Sequence, residues 1–122
     1  MVKKVIVADD YPSWRGTYVS LVKNAFPDAQ VDAVETGSDL VERVLQGDYS
    51  LVISDNDMEE KGAGLKSLQK IRGSGNNVPF YLVSAGGSDV VRNALRYGAN
   101  GFYDKGEFDS DKVVGDITQH LK

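Results

Sequence analysis

The feature that most constrains this chain is a rhythm. Five short apolar or β-branched runs, Val5–Ala8, Gln30–Val34, Leu51–Ser54, Phe80–Val83 and Gly101–Asp104, alternate with stretches of helical periodicity. Runs of this length bounded by polar residues read as buried strands. Strands that alternate with helices argue for an α/β fold around a parallel sheet. Leu51-Val52-Ile53-Ser54 is the plainest of them, three large apolar residues and a serine that break off at Asp55. In open α/β sheets ligands bind beyond the carboxyl ends of the strands, so Asp55 stands where chemistry is expected.

The helices between the runs are marked by spacing and punctuation. Pro12 suits a first turn, and Trp14, Tyr18, Leu21, Val22 and Ala25 follow at helical spacing before Pro27. Ser38 is the expected N-cap of a second helix, buried through Leu40, Val41, Val44 and Leu45 and stopped by Gly47. Leu65, Leu68 and Ile71 mark a third helix, ended by Gly73 and Gly75. Ser88 is the expected cap of a fourth, which carries Val90, Val91, Ala94 and Leu95 and ends at Gly98. Asp109 caps a fifth, with Phe108 and Val113 as a hydrophobic staple and Val114, Ile117 and Leu121 on its buried stripe. Pro79 falls at the start of a strand, where the missing donor is tolerated.

No repeat, low-complexity segment or linker interrupts the pattern, and 122 residues suit one domain, residues 1–122. The absence of cysteine excludes disulfides and thiolate chemistry. A net charge of −4 without a basic run speaks against nucleic-acid binding by this chain alone. No apolar run has the roughly 20 residues of a membrane span, and the N-terminus lacks a signal-peptide core. A soluble, cytoplasmic protein is expected.

The polar residues at the strand ends carry the functional reading. Asp9 and Asp10 follow the first strand, Asp55 the third, Ser84 the fourth and Lys105 the fifth. A parallel sheet brings these ends to one edge. Two unit charges about 4 Å apart repel by about 4 kcal/mol at an effective dielectric of roughly 20. Three carboxylates against one lysine therefore call for a divalent cation, and oxygen-only ligands favour Mg²⁺. Magnesium beside carboxylates points to phosphoryl transfer, with a carboxylate as nucleophile forming an aspartyl phosphate. Ser84 and Lys105 would donate to the phosphoryl oxygens.

With these residues placed, the chain resembles a response-regulator receiver domain of bacterial two-component signalling. The resemblance runs from about Lys3 to Leu121 and rests on Asp9-Asp10, Val52-Ile53-Ser54-Asp55, Val83-Ser84-Ala85, and Gly98-Ala99-Asn100-Gly101-Phe102 leading to Lys105. Each piece is weak alone, and the ordered set is specific. It implies a flavodoxin-like fold of five parallel strands in the order 2-1-3-4-5, with helices on both faces. It further implies that Asp55 takes a phosphoryl group from a histidine kinase or phosphotransfer protein, and that a downstream protein or an output domain reads the result. Asp10 and Asp55 would bind Mg²⁺ directly, Asp9 through water and Asp57 through its backbone carbonyl, while Ser84 and Lys105 hold the phosphoryl group. Phe102 matches the switch aromatic of the family. On that reading the Ser84 hydroxyl turns toward the phosphoryl group and Phe102 changes rotamer, which alters a surface that includes Tyr97 and Tyr103.

The chain departs from the family pattern in places. Gly106 stands where proline usually follows the lysine, Glu59 replaces a frequent proline, and the loop before Leu65 is one residue longer than usual. Asp57 and Gly86 lie near the expected path of attacking water. Three other functions compete. One is a degenerate receiver that binds partners without phosphorylation. Another is a Mg²⁺-dependent phosphohydrolase, for which neither a substrate pocket nor an acid–base residue is evident; the chain is expected to catalyse only its own phosphorylation and dephosphorylation. The last is a flavin-binding flavodoxin, against which stands the lack of a glycine-rich phosphate loop after the first strand. Trp14 and Tyr18 read most simply as core or helix-surface residues. His120, the only histidine, reads as solvated and a poor phosphodonor.

Overall fold

A computed structural model describes residues 2–86 and 88–122, and the side chains of these except Ser88 and Val91. The elements alternate as expected: β1 (Lys4–Ala8), α1 (Pro12–Ala25), β2 (Gln30–Val34), α2 (Gly37–Gln46), β3 (Leu51–Asp55), α3 (Ala63–Gly73), β4 (Phe80–Ser84), α4 (Ser88–Arg96), β5 (Gly101–Asp104) and α5 (Ser110–Leu121). All pairings are parallel, in the order β2-β1-β3-β4-β5. β3 and β4 are buried at every position, which is why they read as continuous runs rather than as alternation.

Helices cover both faces. Residues of α2, α3 and α4, including Leu40, Val44, Leu68, Ile71 and Ala94, pack on Ile6, Val52, Phe80 and Leu82. Residues of α1 and α5, including Tyr18, Val22, Val113, Ile117 and Leu121, pack on Val5, Val7, Ile53, Tyr81 and Tyr103. Phe108 joins Val113 in this second cluster, and the Asp109 carboxylate accepts from the Asp111 and Lys112 amides, so the expected cap and staple are present.

Three helix termini differ from the sequence reading. The N-cap of α2 is Thr36, not Ser38: Thr36 Oγ1 accepts from the Asp39 amide at 3.1 Å. The Gly37 and Ser38 amides instead donate to the two carboxylate oxygens of Glu59, at 2.7 and 3.1 Å, from across the β3–α3 loop. α3 begins at Ala63, ahead of Leu65, and its Gly64 lies flat against the end of β3. A Cβ there would run into the Asp55 carbonyl and stand 2.9 Å from Leu82 Cδ1. α4 ends at Arg96, and Gly98 follows with a left-handed φ of 97°. The expected cap at Ser88 and the Val91 contact lie outside the described side chains. Among the described residues no peptide bond is cis, Lys105–Gly106 included.

Candidate functional site

The sheet order places β1 and β3 side by side, with Ala8 opposite Ser54. Asp9 and Asp10 therefore leave the sheet beside Asp55. Single carboxylate oxygens of Asp9, Asp10 and Asp55 all lie within 4.8 Å of one another. Asp9 and Asp55 are buried, while Asp10 faces solvent. Octahedral Mg²⁺ holds its ligands at about 2.1 Å, which sets oxygens about 3 to 4 Å apart across the ion. Three hard oxygen donors gathered here, with neither nitrogen nor sulfur among them, suit Mg²⁺ by their chemistry.

Lys105 comes from beyond β5 and closes the site. Its Nζ lies 3.1 Å from Asp55 Oδ1 and 3.5 Å from Asp9 Oδ2. Burial and then the charge of Asp9 push the Asp55 carboxyl up to about 6, against the opposing pull of Lys105. A cation binding here would relieve that repulsion. Ser84 ends β4, is buried, and its Oγ accepts from the Gly86 amide at 2.8 Å. Gly86 must be small, since a Cβ would stand 2.7 Å from Val90 Cγ2 and 3.0 Å from Ser84 Oγ.

Asp57 does not join the carboxylate group through its side chain. Its Oδ1 accepts from the Gly62 amide at 2.8 Å and braces the loop, leaving the main chain as its possible contribution. Phe102 is half-buried and packs with Val90 and Ala99 against the α2–α4 face. It lies on the strand next to Ser84, with Leu82 opposite Phe102 in the pairing.

Residues 5–118 match the family described as the response regulator receiver domain. The chain belongs to that family. It is 31% identical over 104 residues to a glycerol metabolism activator of Pseudomonas putida, a match that covers 84% of this chain and 47% of that protein. The receiver thus spans about half the length of that relative. Among solved structures, a CheY-like response regulator receiver domain protein from Methanospirillum hungatei superposes with a TM-score of 0.85 at 14% identity, over 99% of this chain and 94% of the other. The response regulator domain of Thermotoga maritima CheB gives 0.83 at 21%, over 99% and 97%. At such identities these two likenesses establish the fold. The flavodoxin-like strand order is the one observed.

Several residues around the site were not singled out by the sequence. Tyr18, expected in the core or on the helix surface, is fully buried, and its hydroxyl donates to Asp9 Oδ2 at 2.9 Å. Burial and the neighbouring Asp9 push its phenol far above the ordinary range. Arg15 donates from Nη1 to the Asp9 carbonyl at 2.9 Å and pairs with Glu35 at 3.5 Å. Asn56 Oδ1 accepts from the Leu65 amide, and its carbonyl from the Gly64 amide, which fixes the turn after Asp55. Lys105 Nζ stands 5.1 Å from the centroid of the Trp14 ring. The helical spacing of Trp14 and Tyr18 put them on the inner face of α1, but their polar partners follow from strand order, which periodicity does not carry. His120 also differs from expectation: it is half-buried, and its Nε2 lies 2.8 Å from the Tyr81 hydroxyl.

Proposed function

We propose that this receiver domain takes a phosphoryl group onto Asp55 from a histidine kinase or phosphotransfer protein and passes its state to a downstream protein or attached output segment. The observation that carries the reading is the Lys105 ammonium 3.1 Å from Asp55 within the three-carboxylate cluster. Asp10 and Asp55 would hold Mg²⁺ directly, Asp9 through water, and Asp57 through its main-chain carbonyl. Held by these residues, the cation would offset the charge of the carboxylates and of the incoming phosphoryl oxygens.

With acetyl phosphate as donor, an Asp55 carboxylate oxygen forms a bond to phosphorus as the bond to acetate breaks. Acetate leaves as the carboxylate, so no proton need move. Lys105 donates to one phosphoryl oxygen as charge builds there. Ser84 turns its hydroxyl toward another, and Phe102 follows into the space released. This hydrogen bond is the differential contact on which the switch depends. The complete acidic set speaks against a degenerate receiver. The similarity to an activator supports a regulatory output, with any contact to nucleic acid made by a partner or attached segment.

Intact-mass analysis after incubation with acetyl phosphate and Mg²⁺ tests the reading. One phosphoryl group should add to the wild type and none to Asp55→Asn. Unchanged labelling of that variant would sink the assignment. Ser84→Ala should accept the group yet show weaker NMR shifts at Phe102.

A further inference from the structure

We propose that Tyr18 is a positioning residue that keeps the Lys105 ammonium on Asp55 by occupying Asp9 in its place. The proposal rests on the reading of Asp55 as phosphoryl acceptor. Its ground is a competition for one oxygen. Asp9 Oδ2 accepts the Tyr18 hydroxyl at 2.9 Å, and the same oxygen lies 3.5 Å from Lys105 Nζ. The other carboxylate oxygen, Oδ1, accepts the Tyr11 amide at 2.9 Å. With both oxygens supplied by fixed donors, fully buried Asp9 is satisfied without close approach by the lysine. Lys105 is left nearer to Asp55, at 3.1 Å.

The surroundings make Tyr18 the natural holder of this balance. Arg15, the other cation at Asp9, is engaged by the Asp9 main-chain carbonyl and by Glu35. The Tyr18 ring has Trp14 and Phe108 as aromatic neighbours, with centroids 6.1 and 6.3 Å away. Trp14 in turn lies under the Lys105 ammonium. Tyr18 is a fully buried side chain with two χ angles, whereas lysine is a point charge on a flexible four-carbon stem. Without the hydroxyl, the buried Asp9 oxygen lacks a donor, and the mobile neighbour able to supply one is Lys105. The ammonium would shift toward Asp9 and away from where the phosphoryl oxygens arrive.

Tyr18→Phe keeps the ring and removes the donor. Labelling by acetyl phosphate, followed by intact mass, should slow about tenfold, the rate equivalent of one misplaced charge-assisted hydrogen bond. The Mg²⁺ affinity, read by titrating Trp14 fluorescence, should not weaken. Without metal or phosphodonor, the Trp14 emission should shift in Tyr18→Phe, and this shift should vanish in a Lys105→Ala background. An equal shift in that background would show that the ring contact, not the lysine, carries the effect, and would overturn the proposal. So would wild-type labelling rates, or a parallel loss of melting temperature, Mg²⁺ affinity and rate. Should the wild type take no label at all, the phosphoacceptor reading fails, while the Trp14 measurement still decides the placement of Lys105.

Discussion

The two faces of the sheet are filled with different chemistry. The face under α2, α3 and α4 is mainly aliphatic: among the described residues Phe80 is its one fully buried ring, flanked by Tyr49 and Phe102. The face under α1 and α5 holds Tyr18, Tyr81 and Tyr103, flanked by Trp14, Phe26 and Phe108. Every buried tyrosine there has a polar partner: Asp9 for Tyr18, His120 for Tyr81 and Asp116 for Tyr103. Aliphatic packing stabilises by area and shape alone. A buried tyrosine adds area and a hydroxyl that must be paired. The aromatic face is thereby tied through side-chain hydroxyls to the acidic pocket and to α5, whereas α3 on the aliphatic face reaches the turn after Asp55 through the Gly64 and Leu65 amides on Asn56.

The sharpest way to test that division is Leu68→Ala. Leu68 is fully buried on the aliphatic face, so its truncation should cost about 2–5 kcal/mol in denaturant unfolding. The folded variant should keep the wild-type Trp14 response to Mg²⁺. A changed response would mean that the two faces are coupled after all.

Next in size is the pocket itself. Asp55 has its carboxyl raised from 3.8 to about 6, by burial and then by Asp9. The folded form therefore holds its proton more tightly than the unfolded chain, and stability falls as pH rises between those values. Asp55→Asn removes that dependence. Thermal melts in chelator should show the variant gaining on the wild type from about pH 4 to 6 and then running parallel, with a final gap on the order of 2 kcal/mol. A constant gap across the range would show that folding does not raise the Asp55 carboxyl.

The smallest effect belongs to Tyr103→Phe. It removes a hydroxyl 2.6 Å from Asp116, which is half-exposed and can turn to water. The expected cost is about 0.5–1.5 kcal/mol, measured by denaturant midpoint. A larger cost would make this bond as structural as the aliphatic core.

The sequence already carried most of the frame. β2 and β5 fall where the short runs Gln30–Val34 and Gly101–Asp104 put them, and Asp9, Asp10, Asp55 and Lys105 meet because strand ends in a parallel sheet share an edge. What it did not carry are contacts made across the chain. Tyr18 sits at an inward helical position, but nothing local says that its hydroxyl meets Asp9. His120 looked solvated until β4 brought Tyr81 beneath it. Ser38 offers a hydroxyl near the start of α2, yet Thr36 is the cap, and the Ser38 amide donates to Glu59, 21 residues away. A rule read from neighbours in sequence has no access to such donors.

The same Glu59 clamp has a consequence for how firmly the loop after Asp55 is held. A proline at this point would stiffen the backbone through its ring, indifferent to the medium. Here the stiffness comes from an acid resting on the positive end of α2, through Gly37 and Ser38. Such an attraction is screened by salt and fades within a turn of the helix. Burial opposes the charge, but the two amides outweigh it and hold the Glu59 carboxyl below its usual range. The clamp is therefore intact above the ordinary glutamate range and opens as acid titrates the folded carboxyl. The rigidity of the loop beside Asp55 is thus a property of the solution as much as of the chain, and ionic strength becomes a dial on it.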